Sequence, residues 1–421
     1  MDAKPTRREI ASWCFFDFAN SSYTTIIVTV VFPLYFTRSV AEGIDHADFL
    51  FGTAFSLSQW LVLLSAPLIG AIADIHAAKK KLLIASTLLC VLATFLLGAL
   101  PPSLWVILAL FVVGTVAYSS GENIVAGFLP EISTRKTIGR ISGISWGIGY
   151  FGGLLCLVIV NFLISSDTSV AGVSGARLAF IATALFFAIS ALPTFLFLKE
   201  RKKPEPLPPG SHLPGVAFRK VAATLREARA NPRLWRFLFV FFIYSCGIST
   251  VIAFAGIYAG QVIGYSQEEL IRLFIALQIA SALGAFFFGW LQDRIGARLS
   301  IQATLVLWTL VAIGAAMVET KEAFFIVANV AGLCIGGSQC TSRAFVGQLA
   351  PSDKPGESFG YWGLFSRLAA ATGPFLYGLV STMSGSARVA ILFTGVFFVV
   401  GWIGLFFIGG GIQKKEAKPT I

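Results

Sequence analysis

Charged residues are scarce in this chain of 421 residues, of which 13% are Asp, Glu, Lys or Arg and 56% are hydrophobic. A soluble globular domain carries about twice that charged fraction, so we expect a chain that lies mostly in lipid. The six cysteines form no Cys-x-x-Cys pair, which argues against a zinc site or a disulfide framework. No Walker or G-x-S-x-G sequence and no metal-enzyme spacing of His, Asp or Glu is present, so neither direct ATP drive nor an intramembrane enzyme is indicated.

Twelve apolar runs are long enough to cross a bilayer, since a spanning helix needs about 20 residues. The predicted spans are residues 11–37, 51–73, 82–100, 103–128, 140–164, 176–198, 234–259, 269–291, 299–318, 323–347, 357–383 and 387–408. We therefore predict an all-α polytopic membrane protein whose surroundings are the lipid bilayer. The net charge of +11 does not indicate nucleic-acid binding, because the basic residues lie in short loops between the apolar runs.

Lys and Arg are distributed unevenly between the two sides of these spans. If the N-terminus is cytoplasmic, 25 of the 32 basic residues fall on the cytoplasmic side and 5 on the opposite side. Basic loops are retained in the cytoplasm during insertion, so we predict that both termini are cytoplasmic. The expected location is a plasma membrane, such as a bacterial inner membrane.

One long polar segment divides the twelve spans into two groups of six. It predicts an N-terminal six-helix bundle at residues 1–198, a cytoplasmic linker at 199–233, and a C-terminal six-helix bundle with a short tail at 234–421. Residues 216–230 have an apolar and a basic face, as in a helix that lies on the membrane surface or in a connector helix packed on protein. The segment GAIAD (70–74) recurs as GWLQD (289–293), and parallel repeats are typical of transporters built from two bundles.

Glycines, carboxylates and basic residues recur in the loops after the second and eighth spans. They are Gly70, Asp74, Lys79 and Lys80 in the first loop, and Gly289, Asp293, Arg294, Gly296 and Arg298 in the second. The second pattern, G-x-x-x-D-R-x-G-x-R, resembles the cytoplasmic loop signature of the major facilitator superfamily. Basic groups at a membrane edge bind carboxylates, so we expect both loops to act in gating. The first loop has Ile75 in place of the Arg and Ala77 in place of the Gly, which makes it the weaker candidate for a latch.

Further segments resemble the vacuole-effluxer-like branch of that superfamily, also called the unknown-major-facilitator family. They are SWCFFDFANSSYTTIIVTVVFPLYF (12–36), SGISWGIGYFGG (142–153), GGSQCTSRAFVGQLAP (336–351) and GESFGYWGLFSRLAAATGP (356–374). The resemblance implies a transporter of two six-helix bundles, without enzymatic activity or a cofactor. The fungal members are associated with amino-acid efflux from the vacuole, but no substrate residues carry over to this chain.

Four charged side chains interrupt the apolar runs: Asp17, Glu122, Arg343 and Arg367. An ionisable group in hydrocarbon is costly unless it is paired, hydrated or facing a cavity, so these residues mark the predicted working site. Asp17, Glu122 and Arg343 share one depth, about 10 Å from the cytoplasmic face. In the superfamily the first, fourth, seventh and tenth spans line the central cavity, so the resemblance places these three residues toward it.

The sequence leaves alternative roles for each of these charges. Glu122 and Arg343 each stand eight residues before a proline that ends their span, so opposite charges at equivalent repeat positions predict a pair across the halves. That pair is either a gate or a structural ion pair. Asp17 either couples transport to protons or bonds polar neighbours on its own helix. Arg367, near the midplane, either binds an anionic group of the solute or partners a carboxylate.

Four polar side chains beside these charges complete the predicted site: Asn20, Tyr23, Asn123 and Gln339. Each of them either contacts the solute or holds helices together. We predict a monomeric secondary transporter that moves a small polar solute, such as an amino acid, by alternating access, with the proton as candidate coupling ion. A carboxylate and a guanidinium that face one cavity would complement a zwitterion. The alternative is a transport-inactive scaffold or receptor that keeps the fold.

Overall fold

The computed structural model describes residues 5–133, 138–165, 175–201, 215, 231–349 and 355–408. The described part of the chain contains twelve long helices, called spans 1 to 12. Their bounds are Arg7–Val40, Ala47–Ile75, Lys79–Ala99, Leu104–Ala126, Ile138–Ser165, Gly175–Phe197, Pro232–Gln261, Gln267–Ile295, Ala297–Met317, Lys321–Leu349, Pro355–Ser384 and Ala387–Phe406. Every predicted span is present, and its ends lie within four residues of the predicted ends.

Eleven of the described spans are both long and apolar enough to cross a bilayer. Span 11 has the length, at 30 residues, but a more polar composition. Span 1 contains two π-helical stretches, Thr24–Val30 and Phe36–Val40. Such stretches are frequent at functional sites, because the wider turn changes which side chains share a face. The amphipathic helix predicted at residues 216–230 lies outside the described residues.

Spans 1–6 and spans 7–12 form two bundles with the same internal packing. In the first bundle span 1 packs on spans 5 and 6, span 3 on spans 4 and 6, span 2 on span 4, and span 5 on span 6. The second bundle repeats each of these pairings six spans later. The parallel repeat predicted from the loop segments is therefore present in the helix packing.

The end of the bundles that carries the described chain ends, Pro5 and Ile408, is called the inner end, and the two bundles meet mainly at the opposite, outer end. Span 2 packs on span 11, and span 1 packs on span 7. The rings of Phe51 and Phe254 meet edge-on, with centroids 5.6 Å apart. A Cβ atom on Gly256 of span 7 would lie 2.6 Å from the carbonyl oxygen of Thr29, so only glycine permits this approach of spans 1 and 7.

The bundles diverge toward the inner end. A Cβ atom added to Gly147 of span 5, or to Gly360 or Gly363 of span 11, would meet no described atom within 4 Å. Deep in the spans, the side chains of Glu122 and Arg367 are still 32% and 18% exposed. Among the described residues, the bundles are therefore in contact at the outer end, and the space between them, called the cavity, widens toward the inner end.

The chain leaves span 6 along the inner end of the first bundle and is held there by ionic contacts. Glu200 accepts hydrogen bonds from the backbone N–H groups of Lys79 and Lys80, at 2.8 and 3.1 Å, where span 3 begins. Arg201 forms a salt bridge with Glu9 of span 1 at 2.5 Å. Spans 1, 3 and 6 are thereby tied together at their inner ends.

Candidate functional site

A salt bridge between the two bundles lies in the cavity and joins Glu122 of span 4 to Arg367 of span 11. Arg367 also donates to the hydroxyl of Ser119 at 3.2 Å and to the side-chain oxygen of Asn123 at 3.5 Å. Glu122 and Asn123 stand three and four residues after Ser119, which puts both beside it on one face of span 4. A planar guanidinium with five N–H donors is suited to several acceptors at once. Of the two roles predicted for Arg367, the structure shows the pairing with a carboxylate.

The partner predicted for Glu122 was Arg343, and the structure assigns Arg367 instead. The guanidinium carbon of Arg343 lies 5.3 Å from the ring centroid of Trp146 and 5.4 Å from that of Trp362, within cation–π range of both indoles. Arg343 lies nearer the inner end, on span 10, and Trp146 belongs to span 5, so this cation–π contact also joins the two bundles. Arg367 lies closer to the midplane and reaches across to span 4.

Asp17 lies where span 1 packs closely on span 5. A Cβ atom on Gly149 would lie 3.5 Å from that of Asp17, and Ser145, one turn away on span 5, lies beside the carboxylate. Within the described residues, no Lys or Arg nitrogen comes within 4 Å of the Asp17 carboxylate. The charges of Glu122 and Arg343 act on it from farther away. Asp17 thus belongs to the same charge cluster, but its nearest neighbours are uncharged.

The four polar residues of the predicted site have different surroundings. Asn123 belongs to the face of span 4 that contacts the guanidinium. Tyr23 is buried, with its hydroxyl 3.0 Å from that of Thr115, so it joins spans 1 and 4 inside the first bundle. Asn20 is also buried, and its side-chain oxygen has no hydrogen-bond partner among the described residues. Gln339 is half-buried on span 10.

Sequence reasoning missed several residues that line the region between the bundles. Gln278 of span 8 donates to the hydroxyl of Thr25 at 3.4 Å and so links the two bundles. Thr24 donates to the hydroxyl of Tyr118 at 2.6 Å. Trp146 was also missed, although it lies in the SWGIGY segment that carries the family resemblance. The sequence signal for such a residue is its spacing. Aromatic residues one helical turn apart, in a segment of small residues, form one aromatic surface on the helix.

The basic residues of the two loop motifs contact their own bundles. Lys79 forms a salt bridge with Glu131 at 2.6 Å. Arg298 donates to the carbonyl oxygen of Phe406 at 3.2 Å, and Arg294 stacks on the ring of a neighbouring tryptophan on span 8 at 3.9 Å. In the first loop, predicted to be the weaker latch, Lys79 thus contacts a carboxylate of its own bundle, and the gating role of both loops stays a prediction.

Of the three glycines of the motifs, only Gly296 lies at a turn. Gly296 separates spans 8 and 9 with φ of 89°, a conformation that side chains other than glycine rarely adopt. Gly289 lies beside Cys340 of span 10, whose sulfur would be 3.6 Å from an added Cβ atom, whereas Gly70 has open space around it. The side chains of Asp74 and Asp293 lie outside what the structure describes.

The chain is similar to known proteins along most of its length. A family model described as "Vacuole effluxer Atg22 like" matches residues 43–418. The chain is 27% identical to the "Uncharacterized MFS-type transporter YxiO" of Bacillus subtilis (strain 168), over 94% of each chain. It is 24% identical to "Autophagy-related protein 22-2" of Aspergillus clavatus, over 61% of this chain, and the matched part is 46% of that longer relative.

Solved structures of transporters share the fold. A bacterial homologue of the human lysosomal transporter Spinster, in an inward-facing and unoccupied conformation, matches with a TM-score of 0.72 and 16% identity over 95% of this chain and 96% of that one. The nucleoside transporter NupG matches with a TM-score of 0.66 and 12% identity over 96% and 99%. At these identities the likeness shows the fold alone. It confirms the predicted fold of twelve spans in two six-helix bundles, as in the major facilitator superfamily.

Proposed function

Because the chain belongs to the vacuole effluxer Atg22-like family of the major facilitator superfamily, whose members are transporters and not enzymes, we propose that it moves a small zwitterionic solute across the membrane. The solute class is that of the amino acids, and the mechanism is alternating access. The observation that carries the proposal is the salt bridge of Glu122 and Arg367, which joins the bundles inside an open cavity.

Both charges of this pair are partly exposed to the cavity, so a solute can reach them. The carboxylate of an amino acid replaces Glu122 on the Arg367 guanidinium, since guanidinium–carboxylate pairs are strong and often bidentate. The ammonium group then takes the carboxylate of Glu122. Binding of a zwitterion thus replaces a direct salt bridge between the bundles with a link through the solute. This difference in contacts lets binding change the relative stability of the outer-closed and outer-open states.

Two further residues complete the proposed site, one as a solute contact and one as the coupling group. The buried side-chain oxygen of Asn20 has no described partner and therefore accepts a hydrogen bond from an incoming N–H or O–H group. Asp17 serves as the site of proton coupling, because it belongs to the charge cluster and lies beside a serine hydroxyl instead of a cation. A change of its charge is felt by Glu122 and Arg343.

The arrangement of the chain in its membrane is part of the proposal. The basic residues support cytoplasmic termini in a bacterial plasma membrane. The division into residues 1–198, 199–233 and 234–421 follows the long polar segment, and each bundle contributes one partner of the central salt bridge. A single chain supplies both partners, which supports a monomer as the functional unit.

The test uses ligands that keep one charge and lose the other. Purified protein is screened by thermal shift with amino acids, their deaminated acids and their methyl esters, and hits are assayed for uptake into proteoliposomes. A zwitterion present at about 100 times its Kd should stabilise the protein by ~2.7 kcal/mol, and both single-charge analogues should bind more weakly. Arg367→Gln should abolish the shift, and Arg272→Gln, on an exposed outer surface, should keep it.

Equal binding of the deaminated acids would show that the carboxylate alone is recognised and would contradict the proposed substrate class. A folded protein that takes up no amino acid, acid or amine would favour the transport-inactive scaffold.

A further inference from the structure

Two arginines at the outer end bind the carbonyl groups that end a neighbouring helix. Arg177, at the start of span 6, donates to the carbonyl oxygens of residues 98–100 at the end of span 3, at 2.8 to 3.1 Å. Arg388, at the start of span 12, donates to those of Ala316 and Val318 at the end of span 9, at 2.8 and 3.0 Å. The last carbonyls of a helix have no intrahelical donor and carry partial negative charge, so a cation is favourable there. These contacts are repeat equivalents, and each lies within one bundle.

A third arginine makes the same kind of contact across the bundles. Arg38, at the outer end of span 1, donates to the carbonyl oxygen of Gly260 on span 7, and its guanidinium is 3.4 Å from that of Tyr265 just beyond the helix. Span 7 has no basic residue in its own last turn, so its positive partner comes from the other bundle. A Cβ atom on Gly260 would lie 2.5 Å from Leu34 and 3.1 Å from the Arg38 guanidinium, so glycine is needed at this position.

We propose that Arg38 is the outer-end latch of the transport cycle, which holds the bundles closed by binding the C-terminal carbonyls of span 7. Alternating access requires the bundles to separate at the outer end. That movement breaks the contacts of Arg38 and leaves those of Arg177 and Arg388 intact, because each of the latter stays within one bundle. Arg38 therefore sets the ratio of outer-closed to outer-open molecules, whichever solute the cavity takes.

The latch is tested by distance measurements between spin labels. In a variant without its six cysteines, one label pair at Ser103 and Glu319 reports the outer end, and a second pair at His76 and Ile295 reports the inner end; all four positions are exposed. Arg38→Gln should increase the ratio of outer-open to outer-closed molecules about tenfold, with a longer outer and a shorter inner distance. Ten-fold corresponds to about 1.4 kcal/mol.

The controls separate a latch from a stabilising contact. Arg177→Gln and Arg388→Gln remove equivalent carbonyl contacts within a bundle, so they should lower the melting temperature without changing either distance. Gly260→Ala keeps Arg38 but crowds it and should open the outer end in the same direction, which also tests the latch if Arg38→Gln does not fold. Unchanged outer distances in the folded variants, or an equal shift in Arg177→Gln, would overturn the proposal.

Discussion

Among the charged residues in the membrane, position along the span decides which partner is within reach. Arg343 and Arg367 both lie on helices of the second bundle, and repeat symmetry favours Arg343 as the partner of Glu122. The structure does not follow that symmetry: Arg367 binds Glu122, while Arg343 lies within cation–π range of two indole rings, one on each bundle. A salt bridge that is partly exposed at both ends is weak enough to exchange with a solute.

The two possible pairings predict different coupling energies. In double-mutant cycles on the detergent-solubilised protein, Glu122→Gln with Arg367→Gln should give a coupling of about 1 kcal/mol in stability, reduced by the water that reaches the pair. Glu122→Gln with Arg343→Gln should give a smaller value, because these side chains are not in salt-bridge contact in this state. A larger coupling for Arg343 would show that the outer-closed state with an open inner end does not dominate in solution.

Asp17 gives the second prediction at this scale. If its carboxylate takes up the coupling proton, Asp17→Asn should abolish solute accumulation driven by a pH gradient but keep solute exchange, because the asparagine imitates the protonated side chain. The measurement is uptake and counterflow in proteoliposomes, with Ser145→Ala as a control that keeps the carboxylate. Continued accumulation by Asp17→Asn at the wild-type level would assign Asp17 a structural role.

At the scale of helices, the sequence predicted the spans well and their tertiary ties poorly. Apolar runs define the spans because the bilayer requires about 20 apolar residues, and the ends shifted by four residues at most. The four intramembrane charges were likewise found from the cost of burying them. Their pairing depends on how the two bundles are placed relative to each other, and no local pattern contains that information. The contact of Glu200 with span 3 also escaped prediction, because the two are separated by 121 residues.

That contact leads to a prediction about the start of span 3. Three lysines fill the first turn and Ala78 offers no side-chain cap, so the helix dipole is poorly compensated locally. The Glu200 carboxylate accepts hydrogen bonds from the first backbone N–H groups of the helix and so takes the place of a local cap. Glu200→Ala should therefore cost about 1 kcal/mol and lower the melting temperature by ~2–4 °C, with a smaller loss for Glu200→Gln. Glu319→Ala, on an exposed loop, is the matched control. A melting temperature unchanged within one degree would show that the cap contributes little.

At the scale of the whole molecule, the contacts within each bundle differ in kind from the contacts between the bundles. Within each bundle the same helix pairs pack tightly, and arginines of equivalent position cap helix ends. Between the bundles the polar contacts among described residues include those of Arg38, Gln278 and Arg367, together with the cation–π contact of Arg343 with Trp146. For a molecule built in this way we expect movement as two rigid bodies, with a few exchangeable contacts determining which end is open.

The orientation of this two-body assembly determines the side to which the cavity opens. The 25-to-5 distribution of Lys and Arg predicts that the inner end faces the cytoplasm. Single cysteines at His76 and Glu319, in a background without the native cysteines, should then react with a membrane-impermeant thiol reagent from opposite sides, with Glu319→Cys labelled in intact cells and His76→Cys only after lysis. A cysteine at Gly360, beside the open part of the cavity, should behave like His76→Cys. Labelling of His76→Cys in intact cells would reverse the assigned orientation, and the cavity would then open to the outside.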